Sequence, residues 1–296
     1  MRVTQGMVSS QVLFDIESNY QRLSTYQNEA ATGKKINTPS DDPIGVQFAM
    51  KYQNQLAYYN QYQQNADQAT SQLNYTDSTM SEAQTVMQRA RDLAVQGANG
   101  TYTQSDMASM ASEVSQLYQQ LVSVGNSQYN GSYIFDVTST TTPPYTSGTA
   151  QATTTGGGTV VYDVGDGVTL QASETGTNFF GVANAPNNAF QLLSDLQTYL
   201  QSGNSAQVQQ TLSNFDSCMA NMSAYQANIG ALTQRAQMMS NRMSNLAQNV
   251  TTQLANTQDA DMASVITQMN SALAVQQASL SVGAKAIVPT LVNFLN

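Results

Sequence analysis

The sequence predicts a mainly α protein: a long antiparallel helical bundle or coiled coil formed by both chain ends, with a small β module inserted in the middle. Three observations predict it. Apolar residues recur at alternating three- and four-residue steps through the first and last parts of the chain, the spacing of one helix face. Sequence rich in Thr, Gly and Pro is confined to residues 138–186. Charged residues make up only 10% of the 296, so the polar surface is built from Gln, Ser, Asn and Thr, which suits packing against other copies.

In order, Leu13, Ile16, Tyr20, Leu23 and Ala30 mark a first helical stripe, which Gly33 ends as a C-terminal cap. A second pattern runs from about Ile44 to Gln96 with Tyr52, Leu56, Tyr59, Ala66, Leu73, Met80 and Met87 on one face. The third carries Met107, Met110, Val114, Leu117, Leu121 and Val124, with Ser105 as its expected N-cap. At Asn130-Gly131 the pattern changes from helix to strand, followed by Tyr133, Ile134 and Phe135. Within 138–186, TVVYDVGDGVTLQA predicts a hairpin turning at Gly165-Asp166-Gly167.

Helical spacing resumes at Ala189 with Phe190, Leu193, Leu196 and Leu200 and stops near Gly203. It restarts at Ser205 and continues to Thr257, with a register slip near Tyr225; at 1.5 Å per residue that helix is about 80 Å long. Asp259 and Asp261 stand at the start of a last helix striped by Met262, Ile266, Met269, Leu273 and Leu280, which Gly283 and Pro289 are expected to break. The expected domains are terminal helices at 1–42 and 259–296, a helical rod at 43–137 and 187–258, and the β-rich segment at 138–186.

Composition removes several chemistries. There is no His and no Trp, and a single Cys, so a Ser-His-Asp triad, a His zinc site and a disulfide framework have no ligands to draw on. Cys218 falls on an apolar-patterned helix and reads as a small buried hydrophobe. Residues 92–234 contain acids and no Lys or Arg, which argues against nucleic-acid binding there. No run is apolar enough for a bilayer span or a signal-peptide core, so the expectation is a chain that is cytosolic or exported without a cleavable signal. No cofactor, metal, nucleic acid or membrane partner is expected.

The densest charge cluster is GKKINTPSDDPIG at 33–45. A phosphate loop would need Gly at position 28 and Ser or Thr at 35, where the chain has Asn28 and Lys35. A calcium loop would need alternating ligands closed by a distal Glu, and Ser40-Asp41-Asp42 runs straight into Pro43. The residues fit a rigid corner between two helices: Gly33, Asn37, Pro39, Asp41, Asp42 and Pro43, with Asp42 capping the second helix and Pro43 in its first position. The first and last helices have no partner adjacent in sequence, and an isolated helix of this length is marginal in water. Their stripes, Leu13, Ile16, Tyr20 and Leu23 against Ile266, Met269, Leu273 and Leu280, are therefore expected to pair within the chain or between copies. Such a stripe would also serve as ordinary core; the great length of the penultimate helix favours a rod that assembles.

The corner GKKINTPSDDPIG resembles that of the bacterial flagellin family, including its relatives at the hook–filament junction. The opening MRVTQGMVSS and the run VGNSQYNGSYIF at 124–135 resemble the junction relatives, flagellins usually differing at that run, and the stretch DADMASVITQMNSALAVQQASLSVGAKAIVPTLVNFL from Asp259 is also similar to their C-terminus. The likeness covers roughly 1–135 and 187–296, and departs from the family at Asp136-Val137, where a small Ala-Gly pair is usual. It implies a non-enzymatic structural subunit exported unfolded through the flagellar type III channel, with a chaperone on its C-terminal segment. Outside the cell, copies would form a ring between the first hook-associated protein and flagellin, terminal helices inward and β module outward. The competing readings are flagellin itself, a cytosolic coiled-coil scaffold, and an enzyme using Asp41 and Asp42.

Overall fold

The computed structural model describes residues 5–139, 141–152 and 158–286. In chain order these contain α1 (Gln5–Thr32), α2 (Pro43–Ala98), α3 (Gln104–Gly125), β1 (Gln128–Tyr129), β2 (Ser132–Tyr133), β3 (Val161–Gly165), β4 (Val168–Gln171), α4 (Gly176–Phe180), α5 (Ala189–Gln201), α6 (Ser205–Gln258) and α7 (Met262–Ala286). The mainly α class holds, and the two chain ends pair as helices. The chain divides into two compact units, residues 1–58 with 246–296, and residues 59–245.

The larger unit buries the apolar stripes. On α2, Ala66, Leu73, Met80 and Met87 are fully buried, as are Val114 and Leu121 on α3, Phe190, Leu193, Leu196 and Leu200 on α5, and Val208, Phe215, Met222, Ile229 and Ala236 on α6. Polar pairs show the sense of packing. Arg91 Nε donates to Asp216 at 2.8 Å, Gln226 to Asp77 at 3.0 Å and Ser240 to Asp67 at 2.7 Å, so α6 runs antiparallel to α2. Arg89 Nε reaches Glu113 on α3 at 2.7 Å.

Local chemistry sets the element ends. Thr103 caps α3 in a capping box with Asp106, so the expected N-cap at Ser105 is wrong by two residues: Ser105 lies inside the first turn, and the reciprocal Thr-Asp pair satisfies the orphan amides first. Asn188 caps α5, accepting from Phe190 N at 3.0 Å and Gln191 N at 3.1 Å. Asn130 (φ 50) and Gly131 (φ 81) both have positive φ, as a two-residue hairpin turn of the primed type requires, and β1 pairs antiparallel with β2 around them.

Segment 138–186 contains the expected hairpin, β3 with β4, turning at Asp166-Gly167 and bulged between Asp163 and Gly165. The rest of its described residues form turns and the short α4. Thr153 to Gly157 lie outside the described residues. Asp136, where the sequence departs from the family, is buried and accepts from Thr138 N at 3.2 Å and Thr138 Oγ1 at 2.6 Å, a side-chain turn that leads out of β2. Beyond it Tyr145 inserts into an aromatic cluster, 4.9 Å from Phe190 and 5.5 Å from Phe180 by ring centroids, and so ties the segment to α5. Burial raises the Tyr145 hydroxyl well above its ordinary pKa.

Cys218 is buried on α6 beside Met222, and burial pushes its thiol up to about 12. At pH 8 the thiol is therefore protonated, and thiolate is the reactive form. Ellman's reagent should leave the native chain unlabelled over the time in which urea-unfolded chain reacts completely; equal rates would place Cys218 at the surface.

Candidate assembly surface and helix corner

The smaller unit is built on the α1–α7 pair. Antiparallel packing follows from two contacts. Asn19 Nδ2 donates to Ala272 O at 3.1 Å and to Gln276 Oε1 at 3.0 Å. Nearer the far ends, a Cβ built on Gly283 would lie 3.3 Å from Ile16 Cδ1 and 3.4 Å from Val12 Cγ1. Gly283 was expected to break α7. The helix instead continues through it to Ala286, because the missing side chain lets α1 approach closely and packing offsets its helix penalty of about 1 kcal/mol. Pro289 lies outside the described residues.

The buried side of α7 is thus made by Val265, Ala272 and Gly283, mostly small residues. The large apolar side chains of the expected stripe stand one position further on. Ile266, Leu273 and Leu280 are exposed, at 46%, 37% and 53%, and Met269 is half-buried. On α1, Leu23 is buried and Ile16 half-buried, while Leu13 and Tyr20 are exposed at 55% and 64%. Val12 and Asn19, which periodicity passed over, belong to the seam. Most of the exposed large apolar side chains of the described residues, including Phe14, Ile44 and Phe48, fall in this unit, although it is the smaller one.

The corner at 33–42 joins α1 to α2. Gly33 adopts φ +69 and donates to Glu29 O at 2.8 Å, the left-handed helix end that glycine favours. Lys34 bridges Asp259 in a short antiparallel contact, with Lys35 N on Gln258 O at 2.8 Å and Ala260 N on Gly33 O at 2.9 Å. Two helix corners, α1–α2 and α6–α7, are therefore stitched backbone to backbone. Lys35 Nζ also donates to Asn256 O at 3.1 Å, placing a cation at the C-terminal turn of α6, where the helix dipole welcomes it.

Asp42 caps α2 by accepting from Ile44 N at 3.1 Å and Gly45 N at 2.9 Å. Ile36 is buried, and a Cβ on Gly45 would crowd the capping Asp42 carboxylate and lie 2.6 Å from Ile36 Cδ1, so a side chain there would displace the cap or Ile36. Pro39 sits in the turn between, and α2 begins at Pro43. Asp261 caps α7 through Ala263 N at 3.1 Å. Among the described residues no cluster of carboxylates, Cys or His is arranged to hold a metal, and no helix is long and apolar enough to cross a membrane.

Asp41 accepts from Thr38 N at 2.7 Å, Thr38 Oγ1 at 2.8 Å and Asn37 N at 2.9 Å. The Thr38 bonds chiefly hold its carboxyl below the ordinary value of 3.8, with Asn37 adding to them. A depressed folded pKa means that this support is complete above about pH 4 and is lost as pH falls through the lowered value. Hydrogen exchange at Asn37 and Thr38 should therefore accelerate in acid beyond its intrinsic pH trend, and Asp41→Asn should show the faster exchange already at pH 7. Unchanged protection in the variant would remove the carboxylate from the account.

A helical chain whose ends pair, stitch their corners together and leave apolar flanks exposed has the build of a structural assembly subunit. Its residues 3–140 match the bacterial flagellin N-terminal helical region and residues 212–295 the C-terminal one. The chain belongs to the bacterial flagellin family. Flagellar hook-associated protein 3 of Escherichia coli K12 is 32% identical over 146 residues, 49% of this chain and 46% of that protein; the chain thus spans about half the length of the curated relatives it matches in this way. Flagellin of Bacillus subtilis is 24% identical over 300 residues, 97% of this chain and 96% of its own. The crystal structure of Bacillus cereus FlgL shares the fold, with a TM-score of 0.59 and 20% identity over 69% of this chain and 99% of that one. These relatives are structural flagellar proteins.

Proposed function

We propose that this chain is the structural junction subunit of a bacterial flagellum, joining the hook-associated ring to the flagellin filament, and that it has no enzymatic activity. Copies associate in a ring through the terminal helices, 1–42 and 259–296, as an inner layer. Segment 138–186 faces outward. The first hook-associated protein is the partner on the hook side and flagellin the partner on the filament side. Before assembly the chain leaves the cytoplasm through the type III export channel, a chaperone having covered its C-terminal segment, and it works outside the cell.

The exposed apolar flanks of α1 and α7 carry this reading. Each large side chain such as Leu13, Leu273 or Leu280 contributes about 1.5–3 kcal/mol when fully buried. Several per interface offset the roughly 4–15 kcal/mol that association costs in lost freedom. The identity to a hook-associated protein directs the assembly to the junction. The near full-length match to a flagellin supports a second reading, the bulk filament subunit.

Deleting the gene in its host separates the two. A junction subunit leaves hooks without filaments and flagellin monomers in the culture medium. Hooks without filaments and no flagellin in the medium would make this chain the filament subunit.

A further inference from the structure

We infer that Asn99 is a site of spontaneous deamidation, and that Asn130, which has the same neighbour, is protected by its fold; the proposal stands on the larger unit and not on the junction reading. The sequence contains two Asn-Gly steps, Asn99-Gly100 and Asn130-Gly131. In each, the glycine nitrogen can reach the asparagine side chain, because no Cβ on the glycine crowds the approach. The nitrogen gives up its proton to hydroxide and bonds to Cγ, and ammonia leaves. Water then opens the five-membered imide at either carbonyl. The net change is amide plus water to carboxylate plus ammonium, as aspartate or as the isomer whose backbone runs through Cβ, and it needs no cofactor.

The backbone separates the two steps. Asn130 and Gly131, at φ 50 and φ 81, are the central residues of a two-residue primed turn. Such a turn holds its first central residue at ψ of about +30°, where the Gly131 nitrogen points away from the Asn130 Cβ. Ring closure needs the two eclipsed across the Cα–C bond, so the hairpin must break first. It is anchored against this: Tyr133 is buried, Ile134 N donates to Ser127 O at 3.1 Å, and the Tyr129 ring lies 5.5 Å from that of Tyr75. Asn99 and Gly100 are exposed, between α2 and α3 and outside any strand pairing. Asn99 N donates to Gln96 O at 3.1 Å and Thr101 N to Asn99 O at 2.8 Å, and no acceptor faces Gly100 N among the described residues. Turning that free nitrogen toward the side chain disturbs only these short turn bonds. The new carboxylate would stand just past the C-terminal end of α2 at Ala98, the end of the helix dipole that disfavours an anion.

The test incubates the full chain at pH 8, native and urea-unfolded, and follows both steps by mass spectrometry of chymotryptic peptides. The unfolded chain supplies the intrinsic rate of each step. With each native rate divided by its unfolded rate, Asn99 should convert at least about tenfold faster than Asn130, a ratio equivalent to about 1.4 kcal/mol of opening free energy. Gly100→Ala, where a Cβ meets nothing within 4 Å and φ is not positive, should suppress conversion of Asn99 while leaving Asn130 and the helix content unchanged. A ratio that falls short of tenfold overturns the inference, because the two folds would then protect alike. Conversion of Asn99 that Gly100→Ala leaves untouched overturns it as well, since attack by the Gly100 nitrogen would not be the route.

Discussion

Replacing Leu23 and Leu273 together with aspartate is expected to abolish incorporation into flagella while residues 59–245 stay folded. Leu23 is buried in the α1–α7 seam, and Leu273 stands on the exposed flank of α7. Aspartate at 23 puts a charge at a buried position of the seam, at a cost of several kcal/mol. The α1–α7 pair draws on few buried side chains, so it should open. Aspartate at 273 leaves the isolated subunit nearly unaffected and acts only where another copy would cover it. Single variants therefore separate the two roles: Leu23→Asp lowers the helix content of the pair in the purified chain, and Leu273→Asp lowers incorporation with helix content unchanged. Far-ultraviolet circular dichroism measures the first outcome and immunoblotting of sheared flagella the second. Normal incorporation of the double variant would show that the terminal helices are not the assembly surface.

The second large effect belongs to the aromatic cluster of the larger unit. Phe180 is fully buried, with ring centroids 4.8 Å from Phe135, 5.0 Å from Phe179, 4.9 Å from Phe190 and 5.5 Å from Tyr145. Four of these five rings come from outside the long helices, and they are what fastens segment 138–186 to α5. Truncation to alanine leaves a cavity among rings that cannot collapse into it, and Phe→Ala at such sites costs about 3–5 kcal/mol. Phe180→Ala should lower the urea midpoint of the larger unit accordingly and flatten the near-ultraviolet tyrosine signal, while Phe180→Leu should cost less than half as much. A shift below about 1 kcal/mol would mean that the cluster is not the anchor.

The α1–α7 pair is held mainly by small residues, one polar pair and few buried apolar side chains, whereas the larger unit has a continuous core. Regions with few buried apolar contacts open first. The terminal helices are thus the part of the chain that opens most readily.

Much of this protein is determined by its sequence alone, because the deciding interactions are local. Helix boundaries at Gly33, Pro43, Gly203 and Ser205 follow from backbone preferences of single residues, and the turns at Asn130-Gly131 and Asp166-Gly167 follow from positive φ. The corner could be recognised as structural because Asp42 and Pro43 act within four residues of themselves. The stripe of α2 was legible from Ala66 onward, since Ala66, Leu73, Met80 and Met87 all meet the core, whereas Tyr52, Leu56 and Tyr59 of the same stripe are only half-buried.

Only the tertiary structure decided which face of α7 meets α1. Apolar residues stand at adjacent heptad positions, Val265 beside Ile266 and Ala272 beside Leu273, so periodicity has two solutions, and hydrophobicity favours the larger side chains. Close helix approach favours the smaller ones, at Ala272 and Gly283, and leaves the large ones on the flank. Tyr145 and Asn19 were invisible for the same reason. Their partners lie far along the chain, in α5 and at Ala272 and Gln276, and burial by a distant element leaves no mark on the spacing of neighbours. Local propensity ends helices and shapes turns; the selection among equally periodic faces is made by shape, which exists only once the two helices touch.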